Sequence, residues 1–553
     1  MAVYNIDGAV ISASTSDSVS LVLIHDIKAK YPSYTDDQLL DEAIIRAKEL
    51  GGNAKIFWDG SDIHFDGATT HICKGFGGID FNGSKIYMPN YDRGIILKIE
   101  PDSTLDLTVS ADVILKDRTT DQRLKNKIFT MNDGGKTAGN QDMCLGVRTR
   151  TPLDPNDIVY WSPTIITDLD GKFKTGELFL TPTSGEVTCY NVHDFSPVTF
   201  EVCNGTIVSY SSTSMSNFLL CTRSNTCIHG FVLEGKSNIT SYRDGIFYCN
   251  RCSNIEVYDI YGLNPVQKDL ASGYALYFRS ITSLHVHDIF CGDSTRWGIV
   301  GSHFLHDSVF ERCNMNRWDC HFAQTGFNVI RECVLGNLRY GVGRGNITVE
   351  NCIIKNDSEN NSGRVELRSD CVGVFNGDIV IRNCIFCTGD YALSDVKIWD
   401  DRCWREKPNN SVLVDAPLAR RVMENCTVIG AYDTLFSTGT SYENDKSLFK
   451  DLVVEINGMS VNAKTAVVYS PSSIVIDKVL IDKCSLLGTT LNNLSCDLVV
   501  TDSDVDTISS SVTIPTLIAV GNNFTGTQTL GKFTKYSMYG NVASDMASVN
   551  KHS

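Results

Sequence analysis

From about residue 221 the chain repeats a short pattern: an apolar residue, two mostly polar ones, an apolar residue or cysteine, any residue, then usually another apolar one. Ile330-Arg-Glu-Cys333-Val-Leu335, Val349-Glu-Asn-Cys352-Ile-Ile354 and Ile381-Arg-Asn-Cys384-Ile-Phe386 are the clearest copies. Weaker copies put Phe231, Ile260, Ile289, Cys313, Cys426, Met459 and Cys484 at the cysteine position. Plain strand alternation spaces inward residues two apart. Here the step is three, then two. Two polar residues between inward-pointing ones make a corner, after which the chain runs straight again. Corners repeated in one direction wind strands into a coil. Successive copies lie 19 to 42 residues apart. The shortest interval is a bare coil, and the longer ones add a loop, which a solenoid tolerates. The pattern therefore predicts an all-β chain, a right-handed parallel β-helix. A β-sandwich is disfavoured, because its hairpins need tight turns between alternating strands.

The flanks read differently. In segment 1–60, Thr35-Asp-Asp-Gln38 is a capping box that opens a helix. Leu39, Leu40, Ala43, Ile44, Ala47 and Leu50 keep helical period, and Gly51-Gly52 stops it. This helix is expected to cap the first coil. In segment 61–220, residues 95–220 alternate strand-like runs with Gly, Asp and Pro turns, as irregular coils or an inserted β-domain would. The regular helix is read over 221–495. The Ser- and Thr-rich segment 496–553 is read as a C-terminal cap or assembly element.

Length adds little, since each coil extends one core, but charge narrows the function. The 553 residues include 49 basic and 65 acidic ones, a net charge of −16. That excludes nucleic acid as the expected partner, since such binders need a basic footprint. It also disfavours an anionic membrane, and no run reaches the length of a membrane helix. The opening Met1-Ala-Val-Tyr-Asn lacks a signal peptide's basic start. The twenty cysteines read as buried, reduced, small apolar residues. The pairs Cys249/Cys252 and Cys384/Cys387 are three apart, so in a strand they point to opposite faces and make no zinc clamp.

Candidate chemistry follows from period two. In Arg317-Trp-Asp-Cys-His-Phe322, Trp318, Cys320 and Phe322 suit the core, leaving Arg317, Asp319 and His321 outside. Arg339 lies six residues after Cys333, as Asp319 does after Cys313. One coil later Arg364, Glu366, Arg368 and Asp370 face out, and then Asp395 and Lys397. Carboxylates, a histidine and arginines on one wall are what acid–base cleavage of a sugar polymer needs. Two coils separate Asp319 from Glu366, roughly 9.6 Å at the sheet spacing, compatible with the wide carboxylate separation of inverting glycosidases. A charged ladder that merely keeps the wall soluble is the plain alternative. Tyr277, Trp297, Tyr340, Trp399 and Trp404 are candidates for stacking on sugar rings. His285 and His287 share a face and could hold a metal, but a solvated pair is the commoner outcome. No metal or cofactor is assigned.

The helix-then-strand entry, the Asn-Cys corners and the mid-solenoid acidic wall together resemble bacteriophage tailspike proteins of the pectin-lyase-like β-helix superfamily, over about residues 35–490. Arg317-Trp-Asp-Cys-His321, Leu367-Arg-Ser-Asp370 and Gly377-Asp-Ile-Val-Ile-Arg-Asn-Cys384 are similar to segments of phage and bacterial β-helix proteins. The resemblance implies a homotrimer in the tail of a phage virion that binds, and often cleaves, bacterial capsular or other cell-surface polysaccharide at the host surface. One departure is that no large virion-attachment domain is read before the helix. As a glycoside hydrolase, the protein would use Asp319 and Glu366 as the carboxylate pair, with Asp370 as substitute. Arg317, Arg339, Arg368, Asp395 and Lys397 would bind substrate. A lyase would instead use His321 as base, with arginines neutralising a sugar carboxylate. A non-catalytic glycan-binding spike is a second class of reading, and a phosphodiesterase a third.

Overall fold

The structure, a computed structural model, describes residues 3–4, 10–12, 19–88, 94–102, 105–110, 127–132, 147–148, 151–152, 162–169, 172–175, 186–194, 198–209, 217–235, 246–263, 274–290, 299–358, 361–362, 364–367, 375–388, 396–403, 419–440, 452–461, 463–469, 476–492, 494, 496–509, 513–525 and 533–543. It contains two units: residues 1–131, 163–176 and 182–298, and residues 132–162, 177–181 and 299–553. Each is built from parallel strands stacked in register, which is the parallel β-helix the corner pattern predicts.

In the first unit, one inward column runs Val22, Ile56, Ile79, Val202, Ile228, Val257 and Val286, each paired with the next across parallel strands. All seven are at most 5% exposed. Burying such a side chain stabilises by about 1.5–3 kcal/mol, so stacking alone commits the chain to this register. The helix Asp36–Leu50 closes the end of the stack as expected. Gln38 N–H donates to Thr35 Oγ1 at 3.3 Å, and Thr35 N–H donates to Gln38 Oε1 at 3.0 Å. Leu39, Leu40, Ala43, Ile44 and Ala47 are buried, whereas Leu50 is exposed in the last turn. A shorter helix, Ile24–Lys30, precedes it. Buried His71 lies 3.0 Å from Asp37 and 2.7 Å from Asp41, tying the long helix to the rung His71–Cys73.

Between the rungs Ile95–Ile99 and Phe200–Ser209 the described strands include antiparallel pairs. Leu105–Ser110 pairs antiparallel with Glu186–Asp194, and Ser162–Leu169 with Lys172–Thr175. Phe200–Ser209 then pairs in parallel with Gly78–Asp80 and Lys85–Met88. Residues 95–220 thus hold both kinds of strand: antiparallel pairs in the middle, and parallel rungs at Ile95–Ile99, Phe200–Ser209 and Asn217–Cys221.

In the second unit the inward column is Phe310, Ile330, Val349, Ile381, Met423, Ile456, Ile481, Val500 and Ala519. None exceeds 1% exposure. The corner beside it has one recurring device. Arg312, Glu332, Asn351, Asn383, Asn425, Gly458 and Lys483 all have φ between 51 and 62°. Each immediately precedes the cysteine-position residue. A left-handed residue reverses the side-chain phase, so the next residue points inward again. The cysteine then closes the corner on itself. The thiols of Cys313, Cys333, Cys352, Cys384, Cys426 and Cys484 donate to the carbonyl two residues back at 3.2–3.3 Å. These cysteines are free and buried.

The same device corrects two expectations. Cys249 and Cys252 do not point to opposite faces: both are fully buried, because Arg251 between them has φ 56°. The described strands after residue 495 also stay in the coil. Asp497–Thr501, Ile514–Val520 and Phe533–Tyr539 continue the ladder from Ile476–Asp482 at an even step, Asp482, Thr501, Val520, Tyr539. There the cysteine position passes to Ser503, Asn522 and Asn541. Asn522 Nδ2 donates to Val500 O and Asn541 Nδ2 to Ala519 O, each at 2.8 Å. Polar side chains take over the role of the thiol, so the composition changes while the fold persists. Among the described residues no helix is long and apolar enough to cross a membrane.

Candidate functional site

The outer wall of the second unit carries one charged column. Asp319 pairs with Arg339, Arg339 with Glu366, Glu366 with Asp400, and Asp400 with Ser437, rung upon rung. Beside it, Arg317 stands in register with Asn337, and Asn337 Oδ1 accepts from Arg364 N–H at 3.4 Å. The expected stack Asp319–Arg339–Glu366 is therefore present, with Arg339 between the two carboxylates. Asp319 and Arg339 each follow a corner cysteine by six residues, whereas Glu366 and Asp400 follow Cys352 and Cys384 by 14 and 16, beyond an intervening stretch of chain.

The electrostatics are those of a neutralised ladder. Arg317 Nη2 lies 3.1 Å from Asp319 Oδ2. Glu366 is gripped from two sides, Arg339 on Oε1 and Arg364 on Oε2, the latter at 2.6 Å. Asp319 has no accessible surface and Asp400 only 5%; the Glu366 side chain keeps 13%. Asp319 thus holds the outward phase but is covered rather than open. Asp400, which sequence reasoning passed over, stacks directly on Glu366.

Other expected site residues fall elsewhere. Lys397 is a correction: it shares the phase of inward Trp399 and is 7% exposed, so it lies off the outer column. Val396-Lys-Ile-Trp399 offers two apolar phases, and Ile398 and Trp399 are both fully buried, so burial fills both phases here. Tyr340 and Trp399 are corrected as sugar-stacking candidates, both being fully buried. Trp399 Nε1 donates to Tyr340 Oη at 3.0 Å, and Tyr340 Oη donates to Asp401 at 2.7 Å. Asp401 also accepts from Arg421 Nε at 2.5 Å, and Arg421 donates further to the carbonyls of Phe375 and Gly377. Burial and the Asp401 charge push the Tyr340 phenol well above its ordinary range. This satisfied interior network fixes the rungs that carry Glu366 and Asp400. Tyr277 is buried too. Asp370, Arg368, Asp395, Trp297 and Trp404 lie outside the described residues, and of His321 the backbone alone is described.

Metal-type ligands gather elsewhere. In the first unit, Glu201, Cys203 and His229 form one group and Glu256, His285 and His287 another, each with ligand atoms within 4.8 Å. His229, Tyr258 and His287 stack on successive rungs, with centroids 4.6 and 4.8 Å apart and planes within 5°.

No family model and no curated protein matches the chain. Solved structures do. The tailspike protein gp49 from Pseudomonas phage LKA1 is 12% identical with a TM-score of 0.43, covering 92% of this chain and 79% of that one. The Gp54 tailspike of Acinetobacter baumannii bacteriophage AP22, solved with A. baumannii capsular saccharide, is 11% identical with a TM-score of 0.43, covering 84% and 79%. The Pseudomonas phage phi297 tailspike gp61 is 10% identical with a TM-score of 0.44, covering 81% and 78%. The similarity is one of fold.

Proposed function

We propose that this protein is a tailspike-like depolymerase that binds bacterial surface polysaccharide along the outer wall of its second unit and cleaves it by carboxylate acid/base glycoside hydrolysis. One observation carries the reading: four successive rungs bring Asp319, Arg339, Glu366 and Asp400 into one column, with Arg317 and Arg364 beside it. A repeating wall suits a repeating ligand. Arginines give planar, bidentate recognition of sugar carboxylates. A sugar carboxylate taking over Arg339 and Arg364 would release Glu366 to act on the glycosidic bond. One carboxyl would then protonate the leaving oxygen while a second carboxylate serves as base or nucleophile.

Glu366 has two possible partners. Asp319 stands two rungs away, roughly 9.6 Å, and Asp400 one rung away, roughly 4.8 Å at the sheet spacing. The first fits the wide, inverting class and the second the narrow, retaining class. Asp319 is held by Arg317 and fully covered, so we favour Glu366 with Asp400. By the same reading the protein works as a homotrimer in a phage tail, at the host surface, and light scattering tests that assembly.

The function test is incubation with purified host capsule. Shortened polymer with new reducing ends supports hydrolysis. Absorbance from an unsaturated sugar replaces it with a lyase, and binding without cleavage with a non-catalytic spike. Glu366→Gln and Asp400→Asn should each slow cleavage about 100-fold or more, with glycan binding retained. Parent-rate cleavage by both variants would move the site elsewhere.

A further inference from the structure

We propose that Glu256, His285 and His287, on the outer wall of the first unit, form a binding site for a divalent transition-metal ion of the zinc class. The geometry begins with the register. Glu256 pairs with His285 and Tyr258 with His287 on successive rungs, so all three side chains share one face. Glu256 Oε1 lies 3.7 Å from His285 Nδ1 and 3.6 Å from His287 Nε2. With the third side at most 4.8 Å, an ion equidistant from the three atoms and in their plane stands roughly 2.4 Å or less from each. Zinc bonds to imidazole and carboxylate are about 2.0–2.2 Å, which small side-chain rotations supply.

The surroundings orient these groups as ligands. His287 Nδ1 lies 2.7 Å from Asp288 Oδ2. A ring N–H donated to a carboxylate is the usual support of a metal-bound histidine, and it fixes the other nitrogen as a lone pair. That lone pair faces a carboxylate oxygen, an arrangement a cation between them stabilises. The ring itself is clamped by stacking on Tyr258. Glu256 Oε2 takes the Cys227 thiol at 3.8 Å, leaving Oε1 toward the histidines. The two imidazole centroids are 4.5 Å apart, close enough for one ion to reach both rings. The side chains keep 15 to 39% exposure, which leaves the remaining coordination positions open to solvent.

The neighbouring group, Glu201, Cys203 and His229, is a poorer host. Lys55 already neutralises Glu201. Burial and nearby carboxylates push the Cys203 thiol well above its usual range, against the thiolate a metal requires.

The test is titration of the full chain with zinc chloride by calorimetry, and with cobalt(II) by visible absorption. One saturable equivalent of micromolar affinity is expected, weakened at least 100-fold in the double variant His285→Ala/His287→Ala. Asp288→Asn should weaken it about tenfold, as loss of an orienting partner does, and Glu201→Gln should leave it unchanged. X-ray absorption on the zinc-loaded parent keeps the proposal testable should the double variant misfold; nitrogen and oxygen ligands with two imidazoles are expected. No binding below 100 µM zinc, parent affinity in a folded double variant, loss of binding in Glu201→Gln, or sulfur coordination would each overturn the site.

Discussion

The smallest unit that shapes this protein is a single backbone angle. A residue with positive φ stands before every cysteine-position residue from Phe231 to Asn541. L-residues adopt that conformation at a cost of roughly 1–2 kcal/mol, and asparagine and glycine least. The chain spends asparagine or glycine at Asn351, Asn383, Asn425, Gly458, Gly521 and Gly540, and tolerates Glu332 and Lys483 where the corner is otherwise held. The thiol that follows satisfies a carbonyl two residues back. The Cys384 thiol is pushed up to about 12, chiefly by the neighbouring Cys352 thiol and then by burial, so it stays protonated and donates. Asn383→Val should therefore destabilise by about 1–2 kcal/mol, while Asn383→Gly stays close to the parent. Urea denaturation of the two variants checks this; equal midpoints would mean the corner's backbone carries no strain.

At the scale of the element, each rung is fixed by its corner, and this decides what could be read from the sequence. Asp319, Arg339 and Glu366 were legible as one column because counting from Cys313, Cys333 and the polar loop sets their phase. Lys397 was misplaced because Lys397–Cys403 begins 13 residues after the corner cysteine Cys384, too far for the corner to set its phase, and with Ile398 and Trp399 adjacent, alternation leaves the phase open. Asp400 was lost with it. The interior pair Asp401 and Arg421 was illegible because a charge at an inward position contradicts the very pattern used to find the interior. The last coils were missed for the same reason, since Ser503, Asn522 and Asn541 replace cysteine by hydrogen bonding rather than apolarity. Rungs are also tied across their outer face. Glu201 joins Lys55 and His229 from three different strands. Its carboxyl is lowered to about 2, first by the His229 hydrogen bond and then, against the cost of burial, by Lys55. A depressed carboxyl stabilises fully above its unfolded value of 4.5 and loses that contribution as pH falls toward 2. The stability gap between parent and Glu201→Gln should be constant near pH 6 and close between pH 4.5 and 2. A gap undiminished at pH 2.5 would show that the ion pair is not its source.

For the molecule as a whole, a stack of rungs has a mechanical consequence. Each rung touches its neighbours, so stability is nearly a sum of rung and nearest-neighbour contributions. A local fault should then spread only a few rungs. The Asp401–Arg421 pair is the place to impose one, since both side chains are at most 1% exposed and Arg421 also holds three backbone carbonyls. Arg421→Met keeps bulk but strands Asp401 as a buried, half-satisfied charge, and breaking one side of such a pair costs about 3–5 kcal/mol. Replacing both, as Asp401→Leu/Arg421→Met, removes the stranded charge and should recover part of that loss. Amide hydrogen exchange can locate the damage. Protection should fall in Ala419–Glu424, in its partners Phe375–Arg382 and Leu452–Asn457, and in Lys397–Cys403. It should be unchanged in Asp497–Thr501, three rungs along the same column. A uniform loss across the second unit would instead mean that it unfolds as one cooperative block. The affected strands include the one that carries Asp400, so the buried pair and the outer column share rungs. Glycan binding should weaken in Arg421→Met although Arg421 lies inside the coil, and the double variant should regain it.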